Sequence, residues 1–395
     1  MIDPVFTASA AGAVGAVATL GSWVLRSPPV PAEVPYADHI RFRAIYRIAR
    51  REFGPAAWGA FPPGVHRFDT DAYLASLLFI RDVYLADGVV LTRGEREVLA
   101  SGVSMGNECY FCSNNHFAIT QATEGAPVAN ALRERRFQDL PTERLRLLAN
   151  YGFRSKDASD PLITETPFAL DEQSDAAAVL FAFHYINRVM DTLGPIGWVG
   201  DFMAKPPPTL LANGLRAHVS MQPEALAAIR AVTHPIDVDA TVSASEQAEI
   251  RRWSGGASRQ ATSDAVITGW AALVRVARQV LGDRVVEAVR DAMGRWNGSE
   301  APLLGPWARE AVGVLQDDPR ALALAEQAMI VGRASTRMSS PRARAALFEA
   351  AGRDRRIECV LVAFAACTAS LRILSWQPTP RGVSRELPRA VSQEE

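Results

Sequence analysis

The chain has 395 residues, 48% hydrophobic and 22% charged, with a formal net charge of −1; it is long enough for more than one core, and its near-neutral balance argues against a nucleic-acid partner. Lys156 and Lys205 are its only lysines, and the many arginines are scattered rather than blocked, so no basic patch is legible. Four cysteines are too few for a disulfide-stapled secreted scaffold, and in a reducing cytoplasm a CxxC pair reads as a redox or metal pair.

Residues 4–25 carry no charge and are long enough to span a bilayer. They are mostly Ala and Gly, however, and Asp3 stands where a signal peptide would carry a positive charge. We read this stretch as a helix packed on a domain or a partner subunit, within an Ala/Gly-rich N-terminal segment at 1–35. Residues 43–53 place apolar side chains at three-to-four spacing, which predicts an amphipathic helix, and 70–85 continues the pattern. The run 92–105 follows, with Thr92 as N-cap and acidic residues in its first turn. Gly106-Asn107 interrupts it, and a new helix is expected to begin near Glu108 and to carry Cys109, Cys112 and His116. Further helical runs cover 171–193, 264–282, 319–338, 341–351 and 355–374. No alternating strand pattern occurs, so the expected fold class is all-α.

Pro206-Pro207-Pro208 and the polar stretch 233–249 suggest breaks, and the last residues mix Pro, Gly, Ser and charge. The division that follows is a thiol-bearing domain at 36–200, a linker at 201–245, a second helical domain at 246–376 and a loose tail at 377–395. A faint internal repeat supports the two helical halves: Glu326 precedes Met338, Pro341 and Ala345 at the spacing by which Glu97 precedes Cys109, Cys112 and His116.

The chemistry concentrates in Cys109-Tyr-Phe-Cys112-Ser-Asn-Asn-His116, with Glu97 twelve residues before the first thiol. On one helix, residues three and seven apart share a face, so the two thiols and the imidazole are expected to project together. A thiol in the first helical turn meets free amides and the positive end of the dipole, which favour the thiolate. One thiolate is a nucleophile, and the other thiol can resolve a sulfenic acid into a disulfide. His116 can move a proton at neutral pH, and Glu97 can orient it or relay its proton. Blander readings stand beside this one. The pair can be two packed thiols. It can also be half a zinc site, with Cys109, Cys112 and His116 as three ligands and Glu97, His184 or a partner chain as the fourth, although no second Cys or His pair is visible. Cys359 and Cys367 sit in an apolar run and read as inert core residues. His39, His66, His218 and His234 are isolated; His184 lies on a strongly apolar helix, as a satisfied core histidine or as a support behind the dithiol.

The pattern Glu97-x11-Cys109-x2-Cys112-x3-His116, with Arg96 before the acid and Asn107 ahead of the first thiol, resembles the AhpD-like alkylhydroperoxidase branch of the carboxymuconolactone decarboxylase family. Phe181-x-Phe183-His184-Tyr185-Ile186-Asn187-Arg188 resembles that family's later helix, and the likeness covers residues 36–193. It implies that 36–200 is an AhpD-like catalytic domain and 246–376 a degenerate AhpD-like half. It further implies peroxide reduction with Cys112 as the peroxidatic thiol, Cys109 as proton donor and resolving thiol, and Glu97 with His116 as the relay. Some family members carry a His immediately before the second Cys; here that position is Phe111, so one relay member is missing. The decarboxylase branch lacks the CxxC, which argues against lactone decarboxylation.

The expected function is therefore a cytoplasmic, homo-oligomeric thiol-dependent peroxidase or disulfide oxidoreductase. It would act on a small organic hydroperoxide, with an external dithiol or a thioredoxin-like or lipoyl reductant, and without metal, flavin or haem. The alternatives are a redox-switched or scaffold protein without turnover, and a cofactor-free decarboxylase-type acid–base enzyme using Glu97 and His116.

Overall fold

The computed structural model describes residues 30–53, 62, 64–86, 90–194, 236–254 and 260–378, and every regular element among them is helical. The expectations for residues 4–25, for the prolines at 206–208 and for the tail beyond 378 fall outside the described residues. Before the undescribed interval 195–235 the helices are α1 (His39–Phe53), α2 (Thr70–Leu78), α3 (Arg93–Gly106), α4 (Tyr110–Thr123), α5 (Ala126–Arg133), α6 (Glu143–Arg154), α7 (Pro161–Thr164) and α8 (Leu170–Leu193). After it come α9 (Ala244–Trp253), α10 (Gln260–Leu281), α11 (Asp283–Gly294), α12 (Trp307–Ala311), α13 (Pro319–Ala334), α14 (Pro341–Ala350) and α15 (Arg355–Leu374).

The helix ends follow local chemistry. Thr92 caps α3 as expected: its hydroxyl accepts the Glu95 amide at 3.2 Å and the Glu95 carboxylate accepts the Thr92 amide at 2.8 Å. Three boundaries differ from expectation. The run at 70–85 is α-helical only to Leu78 and then widens into a π-helical turn, Phe79–Tyr84. The run at 319–338 stops at Ala334 and tightens into a 3-10 turn, Ser335–Ser339. The polar stretch 233–249 contains the start of α9, whose N-terminus is closed by a Ser243–Glu246 capping box.

Two long apolar helices, α8 and α15, pack against each other at the centre. Helix α15 is apolar and long enough to cross a membrane, yet most of it is buried within the protein, where each sequestered Val, Leu or Phe contributes about 1.5–3 kcal/mol. Helix α10 lies on α2 and α15, and α13 lies on α15. Buried side chains from Val65 to Leu374 form one continuous cluster, so residues on both sides of 195–235 share it. Helix α1 is held on α2 by a separate cluster of Phe42, Ile45 and Tyr46 with Tyr73, Leu74 and Leu77.

The scaffold beneath the thiols is the α3–α6 pair. A Cβ on Gly102 would come within 2.4 Å of the Ala149 carbonyl, and one on Gly152 within 2.5 Å of the Leu99 carbonyl. The two backbones therefore touch directly, as only glycine allows. A Gly102→Ala variant must push α6 away and is expected to lose about 2–3 kcal/mol of stability, measured as a lower urea midpoint. An unchanged midpoint would mean that the pair separates at no cost.

Candidate active site

Helix α3 reverses into α4 within three residues. The Glu108 amide bonds the Met105 carbonyl at 3.1 Å and the Cys109 amide bonds the Ser104 carbonyl at 2.9 Å, the pairing of a Schellman cap. Such a cap needs a left-handed residue, and Glu108 supplies it at φ +58°, although glycine is the usual choice. Cys109 is therefore not inside the new helix, as the sequence suggests, but is its N-cap: its sulfur accepts the Cys112 amide at 3.4 Å. Both are free thiols. Cys109 has no exposed surface and Cys112 retains 3%.

The expected lowering of the first thiol's pKa does not hold for Cys109. Burial pushes it well above its ordinary value, the neighbouring Cys112 thiol and the negative charge of Asp191 add to that, and the single amide contact from α4 does not compensate.

Glu97, on α3, is fully buried. One carboxylate oxygen accepts from Arg93 Nε at 2.6 Å and from the Tyr84 hydroxyl; the other lies 2.6 Å from His116 Nδ1. Burial alone would raise its pKa, but Arg93 and His116 outweigh burial and hold it at about 2. An ionised carboxylate can only accept, so His116 Nδ1 carries a proton and donates it to Glu97. Phe183 braces the imidazole edge-on, with ring centres 4.5 Å apart. Glu97 thus pairs with His116 and Cys109 with Cys112, the acid on α3 and the other three at the start and on the first turns of α4.

The structure adds Tyr84 and Arg93, which the sequence reading did not name. Tyr84 reaches Glu97 because the π-helical turn, closed by Leu85 N to Ile80 O at 3.0 Å, rotates it there; helical periodicity carries no sign of such a turn. Arg93 lies four residues before Glu97, and that spacing was a usable signal. Behind the junction, α8 presents His184, Asn187, Arg188 and Asp191, a polar stripe on the otherwise mostly apolar later part of that helix. The Asn107 side-chain amide donates to Asn187 Oδ1 at 2.8 Å and to His184 Nδ1 at 3.0 Å. Arg188 also points a donor at that nitrogen, so the His184 proton belongs on Nε2, which donates to Ser155 Oγ at 2.9 Å. Burial, then Arg188 and Lys156, push the His184 pKa far down, which keeps the ring neutral. His184 is therefore a satisfied buried histidine that also holds Asn107, two residues from Cys109. Cys359 and Cys367 are buried and their thiols are pushed far up by that burial. Among the described residues, no cluster of three His, Cys, Asp or Glu side chains is arranged to hold a metal ion.

Fold and site together define an all-helical protein with a buried CxxC dithiol beside a carboxylate–imidazole pair. Comparison of the chain with models of protein families, with curated proteins and with solved structures found no match.

Proposed function

We propose that the protein is a thiol-dependent hydroperoxidase with the chemistry of the AhpD-like enzymes that its motif resembles. The reading rests on one observation: two neighbouring thiols head α4, the Cys109 sulfur accepting the Cys112 amide, and one turn further along the same helix an imidazole is fixed by a buried carboxylate.

The Cys112 thiolate attacks the distal oxygen of a small organic hydroperoxide. The O–O bond breaks, the alcohol leaves with a proton, and Cys112 becomes a sulfenic acid. Cys109 then attacks the Cys112 sulfur, water leaves and the disulfide forms. An external dithiol, of thioredoxin-like or lipoyl type, restores both thiols by exchange and is itself oxidised. His116, with Nδ1 tied to Glu97, exchanges protons through Nε2 with Cys112 and with the leaving oxygen. Cys112 retains some exposed surface and Cys109 has none, which favours Cys112 as the thiol that meets peroxide. A reducing cytoplasm and self-association belong to the same proposal.

Thiol titration under denaturing conditions tests it, before and after one equivalent of cumene hydroperoxide. The wild type is expected to fall from four titratable cysteines to the pair Cys359 and Cys367. Cys112→Ser is expected to lose none. A wild type that keeps all its thiols would end the peroxidase reading.

A further inference from the structure

The link 295–306, between α11 and α12, displays two large apolar side chains side by side. Leu303 and Leu304 are 89% and 88% exposed, so neither contributes to the core. The link does not leave them out for want of fixed structure, because its stem is tied down on both sides. Trp296 Nε1 donates to the Ser299 carbonyl at 2.9 Å. Arg337 Nη2 donates to the Ala301 carbonyl at 2.9 Å and also to the Pro302 carbonyl. Pro302 and Pro306 stand on either side of the two leucines and restrict φ there. A tip held in this way cannot fold its leucines back onto the protein.

The base of the tip is cationic and aromatic. Trp307 opens α12 three residues beyond Leu304. Arg333 Cζ lies 5.0 Å from the centre of its ring and 5.8 Å from that of Trp296, and Arg337 Cζ lies 5.7 Å from the Trp307 ring. Among the described residues neither guanidinium has a carboxylate partner: Arg337 bonds only carbonyls, and Arg333 Nε has no hydrogen-bond partner. Within 295–310 the charges of Arg295 and Arg309 cancel those of Glu300 and Glu310. Arg333 and Arg337 therefore leave this end of the molecule with an uncompensated positive charge.

We propose that the link 295–306 is a membrane-docking element. Leu303 and Leu304 enter the acyl boundary of a bilayer that carries anionic lipids, and Arg333 and Arg337 meet the lipid phosphates around Trp307. A leucine tip over a collar of arginine and tryptophan matches the layers of a membrane interface, apolar below and anionic above. A second protein chain is the poorer match. Apart from Ala301, every residue from Ser299 to Pro306 is exposed, so the leucines rise clear of their surroundings and line no groove that could close around a partner. The proposal is independent of the dithiol reading: it gives the protein a place at a lipid surface whatever its thiols do.

The test is co-sedimentation of the full-length protein with phosphatidylcholine vesicles, with and without phosphatidylserine. The wild type is expected to bind the serine-containing vesicles more tightly, by an amount that falls as salt is raised. Leu303→Asp/Leu304→Asp changes only exposed positions and is expected to weaken that binding by at least about tenfold. Arg333→Gln is expected to weaken it by about fivefold on serine-containing vesicles and to change binding to phosphatidylcholine alone very little. Sedimentation equilibrium of the same proteins tests the competing occupant. A wild type that binds neither vesicle would overturn the proposal. So would a double leucine variant that binds as the wild type does, since the contact would then lie elsewhere in the chain. Loss of self-association in that variant at unchanged vesicle binding would assign the leucines to a second copy of the chain instead.

Discussion

Replacing Glu97 with Gln is expected to lower peroxide turnover by about 100-fold or more and to cost about 3 kcal/mol of stability at pH 7. The wild-type carboxylate has four acceptor positions and serves Tyr84, Arg93 and His116. An amide keeps one acceptor oxygen and turns two donors toward the same partners, so either Arg93 or His116 faces an N–H group. If it is His116, the proton moves to Nε2 and the ring can no longer take a proton from Cys112. The stability term has a definite sign. Glu97 is held at about 2 against an ordinary 4.5, so its ionised form is favoured in the fold. That contribution is complete above about pH 4.5 and disappears as pH falls through about 2. At about 1.4 kcal/mol per unit the shift corresponds to the 3 kcal/mol above. Urea melts of wild type and Glu97→Gln should therefore differ most at pH 7 and converge toward pH 2. A gap that did not change with pH would assign the loss to packing rather than to the ion pair.

The all-α class was legible because helical periodicity is local: the runs at 92–105, 171–193 and 355–374 match α3, α8 and α15 to within a residue or two. The Glu97–His116 pair and the closeness of Cys109 to Cys112 were legible because spacing on adjacent helices converts directly into proximity. What could not be read came from tertiary structure. The left-handed cap residue is Glu108, and no side-chain rule marks a glutamate for that conformation. A helix-start argument lowers the Cys109 pKa, whereas burial by helices distant in sequence raises it, and the second effect wins. Tyr84 needed the extra residue of a π turn. Ser335 reaches Asp191 across 144 residues of sequence, a pairing that no window reveals. Asp191 itself had a faint signal, as the last member of the polar stripe His184, Asn187, Arg188 and Asp191.

Asp191→Asn is expected to unfold at a higher temperature than wild type at pH 7, the opposite of the Glu97 result. Asp191 is raised to about 6 from an ordinary 3.8, so its charged form is disfavoured in the fold. The cost is fully present above pH 6 and is relieved as pH falls through that value toward 3.8. By the same conversion it amounts to at most about 3 kcal/mol. An asparagine of the same shape cannot ionise and still accepts the Ser335 hydroxyl through its carbonyl oxygen, so it removes the cost without opening a cavity. Thermal melts of the two proteins should differ at pH 7 and approach each other below pH 5. A lower midpoint at pH 7 would mean that Arg188 and Arg344 stabilise the charge more than burial penalises it. The two buried carboxylates thus differ by environment: Arg93 and His116 hold Glu97 down as an anion beside an imidazole, and burial pushes Asp191 up.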